Sequence, residues 1–195
     1  MAQPAAAKNW TLVIHGGAGT IERDRITPEQ DKAIRAALDA ALAAGEKVLA
    51  SGGDALDAVQ AAVVVLEDDP NFNAGRGAVF TYDGANELDA AVMRGDTRAA
   101  GAVTGVTATK NPVKLARAVM EKSPHVMLSR AGADQFSREQ GLEQAGPEWF
   151  ATPERRRQLD ELKSKQVGWY DVDLKYGTVG AVAVDQSGSV AAATS

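Results

Sequence analysis

Gly177-Thr178 is the pair in this sequence whose residue types best suit covalent chemistry. A threonine hydroxyl is a poor nucleophile at neutral pH and needs a base. If Thr178 becomes a chain terminus, its own α-amino group serves, with a pKa of roughly 7.7–8.0 and a place beside Oγ fixed by covalent geometry. That arrangement needs neither histidine nor cysteine. Gly177 suits the step that would generate such a terminus. With no Cβ it tolerates a strained backbone and lets the threonine Oγ reach the preceding carbonyl. On residues alone, a threonine opening a β-strand after glycine is more often just a strand residue.

Other chemistries lack their residues. There is no cysteine, which excludes disulfides, thiolate catalysis and zinc–cysteine sites. The two histidines, His15 and His125, make neither a metal cluster nor an HExxH helix. GxSxG, Walker and GxGxxG patterns are missing too, so the His15-Gly16-Gly17 turn is not the oxyanion loop of an α/β-hydrolase. Asp68-Asp69 reads as a solvated turn or a cation site, and His125 as a packing residue. A net charge of −5 argues against nucleic acid or an anionic membrane as partner. The one basic cluster, Arg155-Arg156-Arg157, stands beside Glu154, Asp160 and Glu161 and is expected to be a solvated helix face. Arg94-Gly95-Asp96 looks like an adhesion tripeptide but is ordinary turn chemistry.

The elements that must position Thr178 are marked by local signals. Residues 10–14 are β-prone and end in the glycine turn from His15 to Gly19. Thr27, Pro28 and Gln30 spell the start of a helix with a capping box. Ile34, Leu38, Leu42 and Leu49 give it an apolar stripe, stopped at Gly52-Gly53. Asp54 caps a second helix carrying Leu56, Val59, Val63 and Leu66. A loop over residues 68–77 precedes short strands expected at 78–81, 87–93 and 98–107. Asn111-Pro112 opens a third helix to about Lys122, followed by a strand at 125–128 and a fourth helix at 130–140. Residues 141–176 are polar and irregular, helical at most over 154–165, with an exposed linker next to Gly177. A hairpin follows, with strands at 178–184 and 189–194 around Asp185-Gln186-Ser187-Gly188.

With 45% hydrophobic and 24% charged residues this order predicts a soluble α+β layered fold. The N-terminus lacks the apolar run of a signal peptide, and no segment is long enough to span a membrane, so a cytoplasmic location is expected. The sequence stops at Ser195 inside a strand, which would leave an open sheet edge there, and a natural protein is expected to continue.

Six blocks in order carry a resemblance. They are Val13-Ile14-His15-Gly16-Gly17-Ala18-Gly19, Asn73-Ala74-Gly75-Arg76-Gly77-Ala78-Val79-Phe80, Glu87-Leu88-Asp89-Ala90 and Asn111-Pro112-Val113, then Val119-Met120-Glu121-Lys122-Ser123-Pro124-His125-Val126 and Gly177-Thr178-Val179-Gly180-Ala181-Val182-Ala183. Together they resemble the plant-type L-asparaginases, isoaspartyl peptidases of the N-terminal nucleophile hydrolase superfamily. The resemblance runs from Trp10 to Ser195, apart from the polar linker. It implies a four-layer αββα sandwich made as an inactive precursor that cleaves itself at Gly177-Thr178. Residues 1–177, with the linker at about 141–177, would be the α-subunit region, and 178–195 the start of β in the same domain. Thr178 would then hydrolyse β-aspartyl dipeptides and the side-chain amide of L-asparagine through an acyl-enzyme.

The resemblance further implies a structural sodium ion held by main-chain carbonyls of Leu66, Glu67, Asp69, Phe72, Ala74 and Arg76, a hard-cation donor set. An ordinary connecting loop is the plain alternative. Asn73 matches an asparagine that supports the nucleophile, and His15, Gly16 and Gly17 match the turn packed near the cleavage site. No cofactor is expected for catalysis, and a dimer of αβ units is. The family's arginine–aspartate substrate clamp, oxyanion donors and second threonine fall past Ser195, so the chain as given is expected to be inactive alone. Glycosylasparaginase is the nearest rival, but its His-Asp pair is replaced here by Lys175-Tyr176 before Gly177. Taspase-like processing fits a compact chain less well. The non-enzymatic alternative is an unprocessed family member or a fragment.

Overall fold

In the computed structural model, which describes residues 9–17, 26–165 and 177–195, the local start signals are obeyed. Residues 18–19 of the glycine turn, 1–8 of the N-terminus and 166–176 of the expected linker lie outside the described residues. Helix α1 (Pro28–Ala50) begins at Thr27, whose side chain accepts from Gln30 N while the Gln30 side chain accepts from Thr27 N. Helix α2 (Ala55–Asp68) begins at Asp54, whose carboxylate accepts from Leu56 N at 2.7 Å. Leu56, Val59, Val63 and Leu66 are all buried, as their spacing predicts.

The stripe on α1 differs from expectation at Leu42, while Leu49 is buried and Ile34 and Leu38 pack against the core. Ala37, Ala41, Gly45 and Leu49 are its buried residues, whereas Leu42 stays 37% exposed. The cause is close approach: a Cβ on Gly45 would stand 3.0 Å from Ala58 O on α2 and 2.6 Å from Leu12 on the first strand. Small residues, rather than leucines, set that contact.

Six strands form one sheet: β1 (Thr11–His15), β2 (Leu88–Arg94), β3 (Ala100–Val106), β4 (Met127–Ser129), β5 (Gly180–Val184) and β6 (Val190–Thr194). Their order is β1-β5-β6-β2-β3-β4, antiparallel throughout except for the parallel β3–β4 pair. The hairpin that follows Thr178 is therefore inserted between β1 and β2. The open edge expected at the last strand is corrected by this topology: β6 pairs with β5 and β2, and the edges are β1 and β4.

Helix α2 packs on β5 and β6, and helix α3 (Pro112–Lys122) packs on β2 and β3. The face of the sheet they cover carries Leu88, Ala90, Val92, Val103, Ala181, Ala183, Ala191 and Ala193, all buried. The opposite face is bare and apolar. Val13 pairs with Val182, Val182 with Ala192 and Ala192 with Met93, so these side chains share one side. Val13, Val182 and Met93 are 60%, 47% and 44% exposed.

Three further expectations change. Residues 78–81 form no strand, because side chains take their backbone groups: Val79 N donates to Asn73 Oδ1, and Asn86 Nδ2 donates to Ala78 O and Val79 O. Past helix α4 (Arg130–Glu139), the stretch from Gly141 holds a short helix α5 (Pro147–Phe150) as well as α6 (Pro153–Ser164), and it buries Phe150 and Leu159. The arginine cluster is a solvated face only at Arg157, paired with Glu154 and Glu161. Arg155 Nε donates to Gly77 O at 2.7 Å, and Arg156 lies over the Phe80 ring at 4.0 Å. Arg94-Gly95-Asp96 closes the β2–β3 hairpin as expected, with Arg94 paired to Asp54 and Asp96. Among the described residues no helix is long and apolar enough to cross a membrane.

Candidate active site

Thr178 precedes β5 by two residues and is exposed. Its neighbour Val179 is fully buried and extends the ladder by one pair: Val179 N donates to Ser195 O at 3.0 Å, and Ser195 N donates to Val179 O at 3.1 Å. A hydroxyl on a rigid, half-paired strand end has its backbone fixed while its side chain stays accessible. Two cavities of about 360 Å³ each meet at this residue on the bare side of the sheet. One runs over β2 and β3 and is lined by Asn73, Val79, Glu87, Asp89, Thr104 and Thr194. The other lies over β1, β5 and β6, with Val13, His15, Val182 and Ala192 in its wall.

The glycine turn is brought to the junction. Gly17 has φ +104°, and a Cβ there would stand 3.1 Å from the Gly177 carbonyl oxygen. The carbonyl that Thr178 Oγ would attack is thus flanked by backbone with no side chain intervening. Gly16 sits against Phe72 and Leu38, at 3.1 and 3.0 Å from its would-be Cβ. His15 pairs with Gly180 in the β1–β5 ladder and is exposed. Asn73 is half-buried, and its Oδ1 holds Val79 N at 2.9 Å, which shapes the cleft wall beside Thr178. His125, expected to be a packing residue, is exposed at the turn before β4 and lines a separate cavity with Phe136, away from Thr178.

The loop after α2 closes on itself through its main chain. Arg76 N donates to Glu67 O at 2.7 Å and Phe72 N to Asp69 O at 3.4 Å. Gly75 and Gly77 both have positive φ, +45° and +103°. A Cβ on Gly75 would stand 2.5 Å from Glu67 O, and one on Gly77 2.6 Å from Pro70 O and 2.8 Å from Phe72 O. Carbonyl oxygens therefore gather where only glycine fits. Leu66 and Ala74 are buried at the two ends of this loop. Among the described residues no group of three or more acidic or histidine side chains could hold a metal, so a cation here would be bound by main-chain oxygen. Oxygen-only donors of this kind suit a hard cation. Asp68 and Asp69 are spoken for locally: Asp68 accepts from Asn111 Nδ2, and Asp69 closes a turn with Asn71.

Several site residues escaped the sequence reading. Asn86, buried and bonded to two carbonyls of the cleft wall, carries no spacing signal. Asp89 accepts from Thr104 Oγ1 at 2.6 Å and Gly105 N at 2.9 Å, and the period-2 alternation of β2 would have placed it on the cleft side. The Glu67 carboxyl is fully buried, with its pKa pushed up to about 8, chiefly by burial.

Residues 8–195 match the family described as asparaginase. An isoaspartyl peptidase of Escherichia coli is 48% identical over 193 residues, covering 94% of this chain and 60% of that protein. The human isoaspartyl peptidase/L-asparaginase is 44% identical over 189 residues, covering 96% of this chain and 60% of its own. A plant-type L-asparaginase of Pyrococcus abyssi is 44% identical over 187 residues, with 89% and 59% covered. The chain spans about 60% of the length of the curated relatives it matches.

Proposed function

The chain belongs to the asparaginase family, and from that membership we propose that it is the precursor part of an isoaspartyl peptidase/L-asparaginase whose nucleophile is Thr178. The observation that carries the reading is the junction itself. Thr178 stands exposed where two cavities meet, and a Cβ on Gly17 would stand 3.1 Å from the Gly177 carbonyl oxygen in front of it.

Two reactions would use the same hydroxyl. In the precursor, Thr178 Oγ attacks the Gly177 carbonyl carbon, the peptide C–N bond breaks, and an ester forms while the α-amino group is released. Water then splits the ester, leaving a Gly177 carboxylate and a free Thr178 terminus. In the mature protein the α-amine takes the Oγ proton as Oγ attacks the side-chain carbonyl of asparagine or of a β-aspartyl dipeptide. Ammonia or the second amino acid leaves, and water releases aspartate from the threonyl ester.

The rest of the machinery belongs to a longer protein. The bare face with Val13, Val182 and Met93 is the surface on which a second sheet would lie, giving the four-layer αββα sandwich. Substrate clamp, oxyanion donors and a second threonine are assigned to the residues after Ser195, so 195 residues alone are inactive in this reading. The αβ units pair into a dimer. The loop of Leu66, Glu67, Asp69, Phe72, Ala74 and Arg76 holds sodium through its carbonyls, as a structural ion with no part in the chemistry. At constant ionic strength the full-length protein should then melt higher in sodium than in choline buffer; equal melting in both would remove the cation.

The deciding experiment is denaturing electrophoresis with mass spectrometry on the full-length protein. Two chains are expected, one starting at Thr178, and Thr178→Ala should leave one uncleaved chain. If Thr178→Ala still splits at that bond, the assignment of the nucleophile is wrong. Assays with β-aspartyl-leucine, asparagine and a glycosylated asparagine separate the substrates, and turnover confined to the last would favour a glycosylasparaginase.

A further inference from the structure

Glu67 stands next to last in α2, and its carboxyl does something its carbonyl does not. The residue is 0% exposed. Its Oε1 accepts from Val113 N at 2.9 Å, in the first turn of α3. Asn111, which precedes that helix, makes no side-chain cap bond, so Glu67 supplies the acceptor the helix start would otherwise lack. A cap needs one oxygen. The second, Oε2, is buried without a hydrogen-bond partner among the described residues, and so is Ser195 Oγ. The Ser195 hydroxyl lies close enough to the carboxyl to favour its charged form against burial, although it does not make a hydrogen bond of ordinary geometry. Buried polar atoms left without partners in a dry interior are costly, and two of them on neighbouring side chains relieve that cost if they engage.

Ser195 is also the residue that registers the nucleophile. Both of its backbone groups bond to Val179, which directly follows Thr178. The path from carboxyl to nucleophile is therefore short: Glu67 Oε2, Ser195 Oγ, the Ser195–Val179 pair, Thr178.

We propose that Glu67 is a positioning residue for Thr178: its second carboxyl oxygen engages the Ser195 hydroxyl and locks the strand pair that sets where Thr178 Oγ stands. The role rests on the reading of Thr178 as nucleophile. It goes beyond that reading by tying the nucleophile to α2 and to the start of α3. The two helices and the strand end are then held from one buried side chain.

The test uses the full-length protein carrying Glu67→Leu, Glu67→Gln, Ser195→Ala and the Glu67→Leu/Ser195→Ala double change. Self-cleavage is followed by electrophoresis, kcat and KM are measured on the cleaved fraction with β-aspartyl-leucine, and melting is recorded. Glu67→Leu and Ser195→Ala should each slow self-cleavage and lower kcat about ten-fold with KM unchanged, the signature of a slightly displaced nucleophile. The double variant should be no worse than the worse single one. Glu67→Gln should stay within about three-fold of the unchanged protein, because its amide keeps an acceptor for Val113 and a donor for Ser195. Should Glu67→Leu fail to fold, Ser195→Ala decides, since it leaves the α3 cap in place. Wild-type kcat in Ser195→Ala overturns the proposal, as does a Glu67→Leu protein altered in melting alone. If the unchanged protein neither cleaves nor turns over substrate, it is the assignment of Thr178 that falls.

Discussion

Gly17 is a residue, distant in sequence from the nucleophile, at which a single change should slow the proposed precursor reaction. Its φ of +104° is unfavourable for any L side chain, and the space where a Cβ would go ends 3.1 Å away on the Gly177 carbonyl oxygen. Gly17→Val must twist the turn or push that carbonyl out of line with Thr178 Oγ. Backbone strain of this kind is worth about 1–3 kcal/mol. If it falls on the transition state, self-cleavage should slow by about 10- to 100-fold. The time course of the full-length precursor on a denaturing gel checks this, and cleavage at the unchanged rate would mean the turn is not part of the machinery. The ordered blocks around them brought Gly177-Thr178 and the glycine turn forward in the sequence, whereas by type alone Thr178 reads as an ordinary strand residue. The buried carboxyl of Glu67 was not legible, nor were the roles of Asn86 and Asp89. A glutamate near the end of a helix reads as solvated until packing shows that α3 and Ser195 enclose it, and burial depends on elements far away in the chain.

Among the elements, α2 is held at its start by a residue that follows Thr178 in the chain. Asp185, in the β5–β6 turn, accepts from Ala55 N at 3.1 Å and from Ser187 N at 2.9 Å, Ser189 N at 3.1 Å and the Ser187 hydroxyl at 2.6 Å. The Ser187 hydroxyl first, and the backbone N–H groups with it, hold its carboxyl below the usual carboxylate range. A lowered folded pKa means the folded protein binds the proton less readily than the unfolded chain. The stabilisation is therefore complete above the unfolded value of about 3.9 and is lost as pH falls through the lower folded value. Asp185→Ala should cost about 1–2 kcal/mol in urea unfolding at pH 7, and the loss should shrink below about pH 4. A difference that persists undiminished in acid would mean the carboxylate is not the source. Legibility at this scale follows locality. Caps at Thr27 and Asp54 and the Asn111-Pro112 start depend on neighbours in sequence and were read correctly. The strand expected at 78–81 depended on what Asn73 and Asn86 would do with its backbone, and the face of α1 on how closely Gly45 lets α2 approach. Neither is a local property.

For the whole molecule, the strand order bears on the proposed cleavage. Because β5 and β6 lie between β1 and β2, a cut before Thr178 would leave the new terminus inside a sheet whose flanking strands belong to the other piece. The ladders, and the contacts of α2 with both inserted strands, would then keep the two pieces together without a covalent link. The same sheet has one dry face and one bare face, and the bare one is apolar at its centre, where Val182 lies across from Val13 and beside Ala192. Covering a valine fully is worth about 1.5–3 kcal/mol, so a face of this kind calls for a second layer in the full-length protein. A charge placed there would be buried without a partner, which costs more than the lost contact. Val182→Asp in the full-length protein should therefore lower its melting temperature by several degrees or make it insoluble. Lys32→Asp, at an exposed position near the start of α1, should leave melting nearly unchanged. The comparison is made by thermal melting of both variants. If Val182→Asp melts with the unchanged protein, the face stays in water in the full-length protein, and the four-layer arrangement is lost with it.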